Sequence, residues 1–264
     1  MKPPLRDTKR VSGFTLLELL VSMAIFILLA ALMLTVTTEA GRMWQQSEGQ
    51  KNRRQAARII LETISRDLQG AAFPVGTHLP GSLAFLVNPA IGAGFLRPNA
   101  AFWQTRSQQD SLGMADVGYF VRKNGAVGEL CRIRIPAGDP DSIFSNIDRT
   151  ISSAVLDRLA PGTGDNDLKG LLAENVLGFW FVLRDNEGVE IPLPYDSRTT
   201  AIRPTFVDVG IVLIDARTAR KIREGSAVEA SYSLPMEDFV DALPTEIRQG
   251  VQTFTSRIRI HANR

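Results

Sequence analysis

Glu18 is a carboxylate inside the most apolar stretch of the chain, FTLLELLVSMAIFILLAALML (residues 14–34), whose only other polar residues are Thr15 and Ser22. A charge placed near a bilayer interior costs on the order of 2.5–3.5 kcal/mol on insertion scales, so such a residue calls for a cation. A cut between Gly13 and Phe14 would give Phe14 a new α-amino group, four residues and so one helical turn from Glu18. The N-terminal end of a helix dipole favours the same negative charge. Cleavage would therefore create the cation that the anion needs. If a neighbouring chain supplies the amine, the pair becomes an assembly device.

Other residue types capable of chemistry are few and scattered. The two histidines, His78 and His261, are both remote in sequence from the one cysteine, Cys131, so no Cys–His pair or zinc-type spacing occurs. Cys131 lies beside Leu130 and Ile133 in a strand-like run and reads as a small core residue. Asp165 and Asp167 share the loop PGTGDND (161–167), but Lys169 stands where a third calcium ligand would belong; a solvated turn is the expected reading. The glycines of PGTGDNDLKG fail the phosphate-loop spacing, and Gly92 and Gly94 lack a strand–helix context. No metal site, cofactor or enzymatic activity is expected.

The elements around Glu18 are set by charge and hydropathy. Residues 1–13, MKPPLRDTKRVSG, carry Lys2, Arg6, Lys9 and Arg10 against Asp7. The 21 apolar-rich residues that follow span roughly 30 Å as a helix, the thickness of a hydrocarbon core. The basic flank keeps the N-terminus cytoplasmic and sends the remainder outward. A secretory signal has a shorter apolar stretch of about 7–15 residues and a small-x-small cleavage site, which Ala30, Ala31 and Ala40 do not form.

SGFTLLELLVSMAIF resembles the class III signal of type IV pilins and of the pseudopilins of type II secretion. There a basic leader ends in Gly, followed by Phe, Thr or Ser, two aliphatics and Glu. The resemblance implies that prepilin peptidase cleaves after Gly13, that Phe14 becomes the N-methylated first residue, and that Glu18 is the assembly glutamate paired with an N-terminal amine. It further implies an inner-membrane location, with other pilin or pseudopilin subunits, the inner-membrane assembly platform and the lipid bilayer as partners.

No proline occurs between Pro4 and Pro74, and Ala57, Ile60, Leu61, Ile64 and Leu68 recur at three- and four-residue spacing. One long helix over about 15–70 is expected, its first half in lipid or a filament core and its second half packed on a head, with Gly70 and Pro74 as stop signals. Arg53, Arg54, Arg58 and Arg66 read as a solvated face balanced by Glu48, Glu62 and Asp67. From residue 73 short strand-like runs take over. VGYFVR (117–122) and ELCRIRI (129–135) flank a six-residue connection, and VLGFWFVLR (176–184) and VEIPL (189–193) flank DNEG. VDVGIVLIDA (207–216) and QTFTSRIRIH (252–261) add strands, residues 74–113 read as loop-rich, and helical pieces are expected near 145–160 and within 233–249.

The expected fold class is α+β, a pilin-like long N-terminal helix packed on an antiparallel sheet of about five to seven strands. The expected divisions are a leader (1–13), a transmembrane and assembly helix (14–38), its amphipathic continuation (39–72) and a β-rich head (73–264). DVGYFVRKNGAVGELCRIRI, GFWFVLRDNEG and TFTSRIRI resemble strands of the J-type minor pseudopilins and the PilW-like minor pilins. The implied function is a structural subunit that enters or caps a short filament; the alternative is a membrane-anchored extracytoplasmic binding or adhesive protein that does not polymerise. The 30 basic and 28 acidic residues give a formal net charge of +2, which does not suggest a nucleic-acid partner. Removing the leader takes away four bases and one acid, leaving 26 against 27, so the slight basic excess belongs to the leader.

Overall fold

The helical and strand periods read from the sequence both appear in the computed structural model, which describes residues 16–71, 85–87, 100–106, 113–124, 127–136, 142, 169–223 and 234–260. Helix α1 is Leu16–Gln69, within a residue of the expected span at either end. The chain divides inside it into two compact units, Met1–Lys51 and Asn52–Arg264. In the first unit every described side chain up to residue 44 is solvent-exposed, and the helix is long and apolar enough to cross a membrane by length and composition. An all-round apolar helix with no buried face has to be covered by something other than its own chain.

The second unit is the remainder of α1 packed on an antiparallel nine-stranded sheet, counted among the described residues. Its strands are β1 (Phe85–Val87), β2 (Ala101–Arg106), β3 (Met114–Asn124), β4 (Val127–Pro136), β5 (Lys169–Arg184), β6 (Glu190–Ile191), β7 (Tyr195–Asp196), β8 (Phe206–Ile214) and β9 (Val251–Arg259). Their order is β7-β1-β2-β3-β4-β5-β8-β9, with β6 paired to β5. The fold is α+β, as the sequence implied.

Ala57, Ile60, Ile64 and Leu68 bury one stripe of α1 against Trp103, Tyr119, Phe179, Phe181, Val209 and Ile211. The opposite sheet face carries Trp180, Val212 and Ile214, covered by α2 (Ala216–Arg223), α3 (Met236–Asp241) and α4 (Thr245–Arg248) through Ala219, Ile222, Phe239 and Ile247, with Leu243 added from the turn between α3 and α4. Residues 176–181 of β5 and 209–214 of β8 are thus buried on both faces, which is why they read as continuous apolar runs rather than alternating ones. Edge strand β9 alternates as expected: Thr253, Thr255, Arg257 and Arg259 are exposed, whereas Ile258 and Ile260 are buried.

Several local expectations are revised. Strands β3 and β4 pair out to Asn124 and Val127, so only two residues connect them rather than six. Residues 74–113, read as loop-rich, contribute β1 and β2. In AFWQTR the two strand faces are both buried, which hides the alternation. Helix α2 begins at Ala216, the last residue of the expected strand 207–216; Asp215 caps it by accepting the Thr218 amide at 2.7 Å and its hydroxyl at 3.0 Å. The DNEG turn is as read: Asp185 Oδ1 accepts the Glu187 and Val189 amides at 2.9 Å, and Gly188 takes a φ of 84°, a conformation that favours glycine. The expected helix near 145–160 and the loop 161–167 lie outside the described residues.

Candidate functional site

Glu18 lies in the first turn of α1 and is exposed. That position places its carboxylate at the end of the helix where unsatisfied amides and the dipole favour negative charge. Gly13 and Phe14, the two other site residues expected from the sequence, lie outside the described residues. Along the same segment the polar side chains are folded back on the helix: Ser22 Oγ donates to the Leu19 carbonyl at 2.9 Å, Thr35 Oγ1 to Ala31 at 2.9 Å and Thr38 Oγ1 to Thr35 at 2.8 Å. Thr37 Oγ1 likewise donates to the Met33 carbonyl. With these hydroxyls satisfied internally, the segment presents a nearly continuous apolar surface; Leu16 is 79% and Phe26 72% exposed. Lipid or other apolar helices are the environments that such a surface suits.

The other end of α1 is held by a polar cluster. Asp67 accepts Tyr119 Oη at 2.5 Å, Arg132 Nε at 2.7 Å and Arg132 Nη2 at 3.1 Å. Arg132 Nε also lies 3.2 Å from Tyr119 Oη, and the two residues are register partners on β3 and β4. The helix's terminal carbonyls, which have no partner within the helix, are taken up by β2. Trp103 Nε1 donates to the Asp67 carbonyl at 3.3 Å, and the Arg106 amide donates to Gly70 at 3.0 Å. Phe85, Trp103 and Tyr119 stack beneath it, with centroids 5.5 and 5.4 Å apart. Burial, followed by the Asp67 charge, raises the Tyr119 pKa far above its ordinary value, so the hydroxyl stays a donor. Burial opposes the charge on Arg132, but the Asp67 hydrogen bonds and charge outweigh it and raise its pKa.

The expected solvated face therefore divides. Arg54, Arg58, Glu62 and Arg66 are exposed, with Arg58 and Glu62 paired at 3.0 Å. Asp67 instead turns under the helix, and Arg53 reaches Gln252 of β9 at 3.1 Å. Sequence reasoning missed the Asp67 cluster; its signal was a tyrosine and an arginine in adjoining strands, together with an acid beside the apolar stripe of α1.

On the sheet face away from α1, a groove of about 1070 Å³ opens between β5, β8, β9 and α3. Asp208 sits in it, accepting Arg184 Nε at 2.6 Å, Arg257 Nε at 2.6 Å and Arg257 Nη2 at 2.8 Å. The Arg257 hydrogen bonds, aided by Arg184 and opposed by burial, lower the Asp208 pKa. Its contribution to stability is complete above the ordinary carboxylate value of about 4 and is lost as pH falls through the lowered folded value. Thermal unfolding followed from neutral pH to below about pH 4 is therefore expected to show Asp208→Asn less stable than the parent at neutral pH, with the gap closing in acid. A gap that does not change with pH would assign the stabilisation to packing alone.

Cys131 is buried in β4 opposite Phe120 and Leu171, in keeping with a core role. His78, His261, Asp165 and Asp167 lie outside the described residues. Among the described residues no three His, Cys, Asp or Glu side chains group as metal ligands.

Residues 8–34 match a family model described as the prokaryotic N-terminal methylation motif. The match covers the end of the leader, Gly13, Phe14, Glu18 and the apolar run, and leaves the head outside it. No curated protein matches the chain. The motif, whose family is structural, supports a type IV pilin-like protein, and with the apolar helix it fits single-pass anchoring in the inner membrane.

Proposed function

We propose that this chain is a minor pilin or pseudopilin, a structural subunit that prepilin peptidase processes and that then enters or caps a type IV pilus-like or type II secretion filament. The observation carrying this reading is the coincidence of the methylation motif with a helix whose N-terminal apolar residues are exposed all round and whose one carboxylate in that apolar run lies in the first turn. In this reading residues 1–13 are the leader, 14–38 the transmembrane and assembly segment, 39–72 its amphipathic continuation and 73–264 the head. Cleavage after Gly13 frees the Phe14 amine, which is N-methylated and remains a cation. In the filament the apolar helices replace lipid with one another, and Glu18 pairs with the amine of an adjacent subunit, removing the cost of an isolated charge in an apolar interior. The head serves as a contact surface rather than a catalyst, and its strand sequences favour the J-type and PilW-like minor subunits among the possible kinds.

The test is recovery of the chain with other pilin-like subunits in crosslinked filament fractions from cells that hold the inner-membrane assembly platform. Co-recovery that depends on active prepilin peptidase is expected. A chain that stays wholly in the inner membrane as a monomer under those conditions would contradict the proposal and favour a non-polymerising anchored protein.

A further inference from the structure

The first charged residues beyond the apolar run are Glu39 and Arg42, an exposed pair 3.1 Å apart. Glu18 and Glu39 are 21 residues apart in an unbroken helix, or about 32 Å along its axis, close to the roughly 30 Å of a hydrocarbon core. Just past this pair come Met43 and Trp44, which are 70% and 77% exposed and make no apolar core of their own. Trp44 lies 26 residues from Glu18, about 39 Å, against about 40–45 Å for a bilayer with its headgroup layers. Helical side chains lean toward the N-terminus. By that lean the Trp44 side chain starts back toward the hydrocarbon and the Glu18 side chain starts away from it.

We infer that Trp44, backed by Met43 and the Glu39–Arg42 pair, is a lipid-binding anchor that seats in the outer headgroup layer of the membrane and so holds Glu18 at the inner headgroup layer before assembly. An indole is suited to that layer because its ring is apolar and its N–H is polar. The partner is the phospholipid interface itself. A helix set at this depth keeps the Glu18 charge hydrated while the subunit waits, so the cost of burying it arises only when a neighbouring amine is there to meet it. The inference rests on the membrane-spanning part of the function proposed above.

The full chain in phosphatidylcholine–phosphatidylglycerol vesicles tests it. The chain has three tryptophans, and Trp103 and Trp180 are buried in the head. The difference in emission between the parent and Trp44→Phe therefore reports Trp44. Lipids brominated near the headgroup are expected to quench that difference signal about twofold or more over lipids brominated near the midplane. A cysteine introduced as Ala40→Cys, read with a membrane-impermeant maleimide against the buried Cys131, gives the second readout. Trp44→Ala is expected to change its labelling rate about threefold or more, and Trp44→Tyr to restore it. A vesicle-bound chain whose Trp44 is not quenched, or is quenched most by midplane bromines, overturns the anchor alone; so does a labelling rate indifferent to Trp44→Ala. A chain that remains outside the vesicles overturns both the anchor and the membrane-spanning reading.

Discussion

Asp67→Ala is expected to destabilise the head by about 3 kcal/mol, because it leaves the Arg132 guanidinium and the Tyr119 hydroxyl facing an emptied site. Removing one partner of a well-buried ion pair costs about 3–5 kcal/mol. The Arg132 side chain is 24% exposed and recovers part of that cost by hydration, so the loss falls at the lower end of this range. For a unit of this size each kcal/mol moves the midpoint by about 2–4 °C, so a fall of about 6–12 °C in Tm is expected for the full chain in detergent. The double variant Asp67→Ala with Arg132→Met removes the stranded charge and should regain at least about 1 kcal/mol over Asp67→Ala alone. A fall of less than about 1 kcal/mol for Asp67→Ala would mean that apolar packing of Ala57, Ile60, Ile64 and Leu68 fixes the end of α1 without the cluster.

Glu18→Ala acts on the other unit and by a different route. It should leave membrane insertion intact or slightly improved, since a charge has been taken from an apolar segment. Incorporation into a filament should fall by at least about tenfold, because even about 1.4 kcal/mol of charge pairing per subunit contact corresponds to that factor. Glu18→Asp keeps the charge but withdraws it by one methylene, and an intermediate yield is expected. The measurement is the ratio of this chain to other pilin-like subunits in crosslinked filament fractions, normalised to its level in the membrane. Equal ratios for Glu18→Ala and the parent would remove the charge pair from the account while leaving the apolar packing of the helices.

What the sequence made legible follows from how each feature is encoded. The bounds of α1, the Glu18 position and the alternation of β9 are local signals, carried by period, charge and a short motif within one element. The doubly buried strands were found by apolar runs, although β2 was not, because Gln104 and Thr105 are buried polar residues that break its apolar run. Gln104 Nε2 donates to Asp116 at 3.0 Å across the β2–β3 pair, a partnership that no sequence period reveals. The Asp67 cluster was hidden for the same reason: its members are separated by 52 and 65 positions, and Asp67 belongs to a helix face otherwise rich in exposed charges. Helix α2 was missed although Asp215 and the Thr218, Ala219, Ile222 spacing mark it, because eight residues rich in Arg resemble a solvated turn.

The proposed identity turns on one covalent event, the conversion of Phe14 into a methylated N-terminus. Intact-mass and N-terminal peptide analysis of the chain purified from cells with and without active prepilin peptidase measures it directly. Loss of residues 1–13 and one added methyl group on Phe14 are expected in the first case only. A chain that keeps Met1 through Gly13 in the presence of the active peptidase would contradict it.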